Sequence, residues 1–148
     1  MAVIKTFSYK KREKELHHER MILRELSISM LRDRMQKYFR PFYFECGRRL
    51  APQLEEGCYD MAIEAYLLGA KYSRFGYYGE SVTQVRHRCR GELKDIIDTL
   101  YNDWLYWGIR DHESLASESI YYACEQYIDS WWTEGFLKAT RRRKLRLK

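Results

Sequence analysis

A chain of 148 residues with 45% hydrophobic, 32% charged and 16% aromatic content fits one compact domain and excludes extended disorder or a collagen-like repeat. Its formal net charge of +6 points to anionic partners or to a solvated basic surface. No apolar run approaches the ~18 residues that span a bilayer, and the opening Met-Ala-Val-Ile-Lys lacks the core of a signal peptide, so no transmembrane segment and a cytoplasmic location are expected.

The first predicted element is a long amphipathic helix over residues 10–39, where Leu16, Leu23, Leu26, Met30, Leu31, Met35 and Tyr38 recur at helical spacing between charges. Pro41 disfavours helical geometry at Arg40 and predicts a kink or stop, followed by an aromatic connector, Phe42-Tyr43-Phe44. Pro52 suits the first position of a second helix over 53–74, whose stripe Leu54, Cys58, Met61, Ala65, Leu68, Tyr72 steps by three and four. Beside that stripe runs a seam of small residues, Cys58, Ala62, Ala65 and Gly69, which would let another helix approach closely. Gly76 is the expected stop, and Ser81 with Gln84 forms a capping-box pattern that opens a third helix.

No proline follows Pro52, and Val82, Val85, Cys89, Leu93, Ile96, Leu100, Trp104 and Trp107 keep near-helical spacing. One uninterrupted third helix over 82–107, about 40 Å long, is therefore predicted. Gly108 should end it. Asp111 or Ser114 can cap a last helix with a core stripe of Ile120, Cys124, Tyr127 and Trp131, broadened by Tyr121, Ile128, Trp132, Gly135 and Phe136. The breadth of that face makes the last helix the central one. The expected fold is all-α, an up-down bundle of about four long helices with a kink near Pro41 and a basic C-terminal tail. Residues 1–137 form the bundle, with 1–9 loose, and 138–148 the tail.

Charge is unevenly distributed. Residues 1–50 carry a net +7, 51–80 −3, 81–110 +1, 111–137 −6 and 138–148 +7. The basic ends either fold back onto the acidic segments or reach outward for an anionic partner.

The stretches Glu56-Gly-Cys-Tyr-Asp-Met-Ala-Ile-Glu-Ala-Tyr-Leu-Leu-Gly69, Phe75-Gly-Tyr-Tyr-Gly-Glu-Ser81, Trp131-Trp-Thr-Glu-Gly-Phe136 and Lys144-Leu-Arg-Leu-Lys148 together resemble a small family of uncharacterised proteins from spore-forming bacilli, a domain of unknown function. The resemblance covers the whole chain. It implies a bacterial, cytoplasmic, mainly helical protein and carries over no activity, cofactor or catalytic residue.

Several constellations have spacings that could serve chemistry. Glu15 and His18 make a Glu-x-x-His pair, half of what a carboxylate-bridged di-metal bundle needs, and Glu56, Asp60 and Glu64 line one helix face at four-residue steps. The second Glu-x-x-His is missing, and basic residues of the first helix are the expected counter-ions instead. Four cysteines, 12, 31 and 35 positions apart, include no Cys-x-x-Cys pair and read as buried thiols. Around Arg74, the tyrosines Tyr77 and Tyr78 stand between Gly76 and Gly79, either as a stacking surface or as rings sealing the bundle end. Arg86, Arg88 and Arg90 lie on the third helix. Arg141, Arg142, Arg143, Lys144, Arg146 and Lys148 suit phosphate contacts but read no bases. The expected function is a non-enzymatic interaction module with no cofactor, docking through its basic ends on an anionic protein, nucleic acid or membrane surface, with a homodimer as another partner. The alternative is a metal-dependent enzyme built on Glu15, His18 and the acidic face of the second helix.

Overall fold

The computed structural model describes residues 26–42, 51–108 and 114–146, together with Arg20, Leu23 and Arg24. Among these the fold is all-helical, without a strand. In chain order the elements are α1 (Ile28–Phe39), a 3-10 turn (Arg40–Phe42), α2 (Pro52–Lys71), α3 (Ser73–Tyr77), α4 (Val82–Arg88), α5 (Arg90–Asp103), a π-helical turn (Trp104–Gly108) and α6 (Ser114–Arg146). None of these helices is long and apolar enough to cross a membrane.

The predicted helix over 10–39 is interrupted before α1. Ser27 is extended, and its hydroxyl accepts from the Met30 amide at 3.1 Å, satisfying an amide that would otherwise lack a partner at the helix start. Pro41 then sits in the 3-10 turn that closes α1. Leu31, Met35 and Phe39 are its buried face.

Helix α6, 33 residues and about 50 Å long, is the axis on which α1, α2, α3 and α5 all pack. α2 runs in the same direction as α6. The Tyr127 hydroxyl donates to the Cys58 carbonyl at 2.9 Å, and two turns onward Tyr66 meets Gly135. α1 and the α4–α5 segment run the opposite way: Arg34 meets Glu134 while Phe39 meets Tyr127, and Arg86 of α4 meets Asp129 while Asp98 of α5 meets Tyr121.

The small-residue seam is the face that α2 buries against α6. A Cβ placed on Gly69 overlaps the Trp132 carbonyl oxygen and lies 2.8 Å from the Phe136 amide, and one placed on Gly135 overlaps the Tyr66 carbonyl oxygen. Each glycine thus admits the other helix's backbone. This close crossing rotates α2 slightly from the predicted stripe, so Ala62 and Tyr66 are fully buried while Met61, expected in the core, is only half-buried.

Two predicted boundaries move. The stop after α2 is not Gly76, which is buried within α3 because a Cβ there would meet the Phe136 ring and the Thr140 hydroxyl. Gly79 ends the segment instead, at φ +104, a left-handed conformation that suits glycine. The Gly79 and Glu80 amides bond back to the Gly76 and Phe75 carbonyls at 3.1 and 3.0 Å, the reverse turn that closes many helices. The Ser81–Gln84 capping box forms as expected, with both reciprocal hydrogen bonds present.

The third predicted helix is broken at Cys89, which leaves helical geometry at φ −107, ψ 21. Gly91 makes this stretch a weak helix former. Val85, Cys89, Leu93, Ile96, Leu100 and Trp104 nevertheless stay buried on one side. Past Asp103 the backbone widens into the π-helical turn, so Trp107, predicted on the core stripe, is 44% exposed beside the exposed Tyr106.

The basic segment from 138 is not separated from the bundle. α6 continues without a break to Arg146, Ala139 and Thr140 are buried, and the Thr140 hydroxyl and Arg143 guanidinium hydrogen-bond Ser73 on α3.

Gly135→Ala forces α2 and α6 apart and should lower stability by about 1–3 kcal/mol in urea unfolding, whereas Gly91→Ala, with open space around it, should raise it by about 0.5–1 kcal/mol. Truncation after Leu137, harmless if 138–148 were a loose tail, should instead cost about 2–4 kcal/mol through lost burial and hydrogen bonds, read as a clear fall in Tm.

Candidate anion-binding surface

The short α3 packs on the last turns of α6, and this brings two sequence-distant groups of candidates together. The buried Ser73 hydroxyl donates to the Ala70 carbonyl at 2.5 Å and accepts from Arg143 Nε at 2.7 Å. Burial first, and then the positive charges of Arg74 and Arg146, push the Arg143 guanidinium below its ordinary value, with Tyr78 acting in the opposite direction. Arg74, Tyr78, Arg143 and Arg146 therefore share one end of the molecule. Tyr78 is 81% exposed there and packs edge-on against Tyr77 at 5.3 Å.

Phe75 joins this end to α4. The guanidiniums of Arg74 and Arg88 lie 4.9 and 4.5 Å from its ring centre, a favourable contact of cations with an aromatic ring. Arg88 is already neutralised: it grips Glu80 through both carboxylate oxygens, and that hydrogen-bonded pairing holds the Glu80 carboxyl below its usual range. Arg88 is thus a brace of the turn. Arg90 lies elsewhere, beside His87 and along a shallow groove of about 500 Å³ between α5 and α6. Lys144 is exposed on α6, Arg142 is half-buried, and Lys148 lies outside the described residues.

A second basic surface coincides only in part with the expected site. Arg34 and Lys37 on α1, Arg86 on α4, and Lys138 and Arg141 on α6 line a groove of about 810 Å³. Arg34 lies 3.9 Å from the centre of the Trp131 ring and pairs with Glu134 at 2.8 Å, and Lys138 reaches the same carboxylate at 3.3 Å. Burial alone would raise the Glu134 carboxyl, but Arg34 and Lys138 hold it below the usual range. Arg86 pairs with Asp129 at 2.6 Å and donates to the Thr133 hydroxyl at 3.0 Å. Arg86 and Arg141 belong to the expected binding residues; Arg34 and Lys37 are additions to them, and their three-residue spacing puts both on one polar face of α1.

The metal alternative gains no geometry. Glu15 and His18 lie outside the described residues. Glu56, Asp60 and Glu64 are exposed, and none forms an ion pair with a described residue; Lys10, Lys11, Arg12 and Lys14 of the expected first helix lie outside the described residues. Asp60 instead adds to the burial that raises the Asp103 carboxyl. Among the described residues no three His, Cys, Asp or Glu side chains gather in a way that could hold a metal ion. Cys58, Cys89 and Cys124 are buried, and burial pushes the first and last thiols far up and Cys89 to about 11. Such thiols are poor nucleophiles at neutral pH.

The comparisons with known proteins name no activity. A family model described as "Protein of unknown function (DUF2521)" matches residues 1–148. The chain is also similar to "Uncharacterized protein YbaK" of Bacillus subtilis (strain 168), with 33% identity over 153 residues that cover all of both chains. No solved structure matches the chain significantly. With a match from its first residue to its last, the chain belongs to the DUF2521 family.

Proposed function

We propose that the chain is a non-enzymatic, cytoplasmic interaction module, an up-down arrangement of α1, α2, α4–α5 and α6, whose α3–α6 end docks on an anionic partner. The observation that carries this reading is the docking of α3 on the last turns of α6, where Arg143 hydrogen-bonds the buried Ser73 at 2.7 Å beside Arg74; burial first, and then the like charges of Arg74 and Arg146, hold that guanidinium below its ordinary value. An arriving anion relieves that repulsion and accepts hydrogen bonds from planar donors that suit phosphate oxygens. The exposed Tyr78 ring beside them offers a face for stacking.

A metal-dependent enzyme is supported by no observation of comparable kind. The docking reading predicts salt-sensitive binding to a polyanion. In fluorescence anisotropy with a labelled single-stranded oligonucleotide, the full-length chain should bind at about 50 mM salt and lose most of its affinity by about 200 mM. Arg74→Gln with Arg146→Gln should weaken binding about tenfold and lower the log–log salt slope by about 1.4, with helicity unchanged. Absence of binding at the lower salt, or a double variant that binds as well as the parent, would reject the docking end.

A further inference from the structure

The groove between α1, α4 and α6 is separate from the docking end, and its charges are arranged differently. Five cationic side chains line it against two carboxylates, leaving a surplus of three positive charges. Both carboxylates are already taken, Glu134 by Arg34 and Lys138 and Asp129 by Arg86. Lys37 and Arg141, one on each helical wall, are exposed and form no ion pair with any described residue. The repulsion left by this surplus falls when an anion enters.

The two inner guanidiniums are held in place before any ligand arrives. Arg34 is fixed by the Trp131 face and Glu134, and Arg86 by Asp129 and Thr133, with the Trp132 ring 5.4 Å away. A guanidinium has five N–H donors, so neither is exhausted by these contacts. Side chains already fixed lose little further entropy on binding. The groove is open to solvent, and its volume of about 810 Å³ leaves room for a small ligand. Leu137, half-exposed on the groove wall, and the Ser130 and Thr133 hydroxyls give the uncharged part of a ligand both apolar and polar contacts.

We propose that this groove binds a small phosphorylated ligand carrying at least two negative charges, with Lys37 and Arg141 as its variable clamps and Arg34 and Arg86 as its fixed donors. Phosphate is favoured over carboxylate because its tetrahedral oxygens can take donors from both walls at once, whereas one planar carboxylate faces one donor pair.

Inorganic pyrophosphate is the probe, titrated calorimetrically into the full-length protein at low ionic strength. One pyrophosphate per chain should bind saturably. Lys37→Gln with Arg141→Gln should weaken it about tenfold or more, the loss of two charge-assisted contacts. Lys71→Gln with Lys94→Gln removes the same charge outside the groove and should leave binding within about twofold, as should Arg74→Gln with Arg146→Gln at the docking end. Acetate, which offers one planar carboxylate, should bind at least about tenfold more weakly than pyrophosphate. The proposal is overturned by unsaturable or absent pyrophosphate binding, by equal losses in the groove and control variants, or by acetate binding as tightly. All of these outcomes are independent of oligonucleotide binding at the α3–α6 end.

Discussion

The close crossing of α2 and α6 governs the rest of the molecule. Gly69 receives the backbone of Trp132 and Phe136, and Gly135 receives the backbone of Tyr66, so the two helices pack main chain to main chain where side chains would normally hold them apart. Bulk displaced from this line collects on either side of it. Trp131 and Trp132 are both fully buried next to the crossing, the first beneath Arg34 of α1 and the second stacked on Phe136 at 5.2 Å. Because α2 and α6 run in the same direction, the chain leaving α2 arrives beside the final turns of α6. That places α3 on Thr140 and Arg143 and assembles the arginine-rich end. The groove has the same origin on the opposite flank: α1 and α4 lean on the Trp131–Trp132 side of α6, and their arginines meet the acids one turn away.

The fold was largely legible because its main contact was local in pattern. Cys58, Ala62, Ala65 and Gly69 announce a small-residue seam, and the broad apolar face of the last helix announces a central position. Both readings agree with the observed packing. The misplacement of Met61 has a simple cause. On a helix whose apolar residues extend around two adjacent faces, steps of three and four fit either one, and only the partner decides which is buried. The break at Cys89 was hidden for a related reason: the apolar spacing runs on through it, and neither proline nor a capping pattern marks it.

The candidate sites were less legible. The docking end was half visible, since Arg74, Tyr78, Arg143 and Arg146 were all candidates, but nothing in the spacing says that residues nearly seventy positions apart share a surface. The groove was less visible still. Its cations come from three helices, and its surplus exists only because Glu134 and Asp129 are consumed by Arg34 and Arg86 across long sequence separations. Segment charge counts cannot show this: residues 111–137 are uniformly acidic in the sequence, yet two of their carboxylates serve a basic groove.

Helix α6 also has a consequence for how the protein meets anything charged. Its first two-thirds carry Glu118, Glu125, Asp129 and Glu134 and no cation up to Leu137, while its last turns carry Lys138, Arg141, Arg142, Arg143, Lys144 and Arg146. Both signs complement the backbone dipole, negative toward the amino end and positive toward the carboxyl end. With Asp129 and Glu134 offset by Arg86 and Arg34, the separation rests on Glu118 and Glu125 against the cations of the last turns, and it gives the molecule an electric moment along the α6 axis. In the field of a charged surface a molecule with such a moment turns before it touches, and collisions that begin in the wrong orientation are corrected during approach. Charge segregation along a single helix thus acts on encounter geometry, at distances set by the ionic strength rather than by any contact.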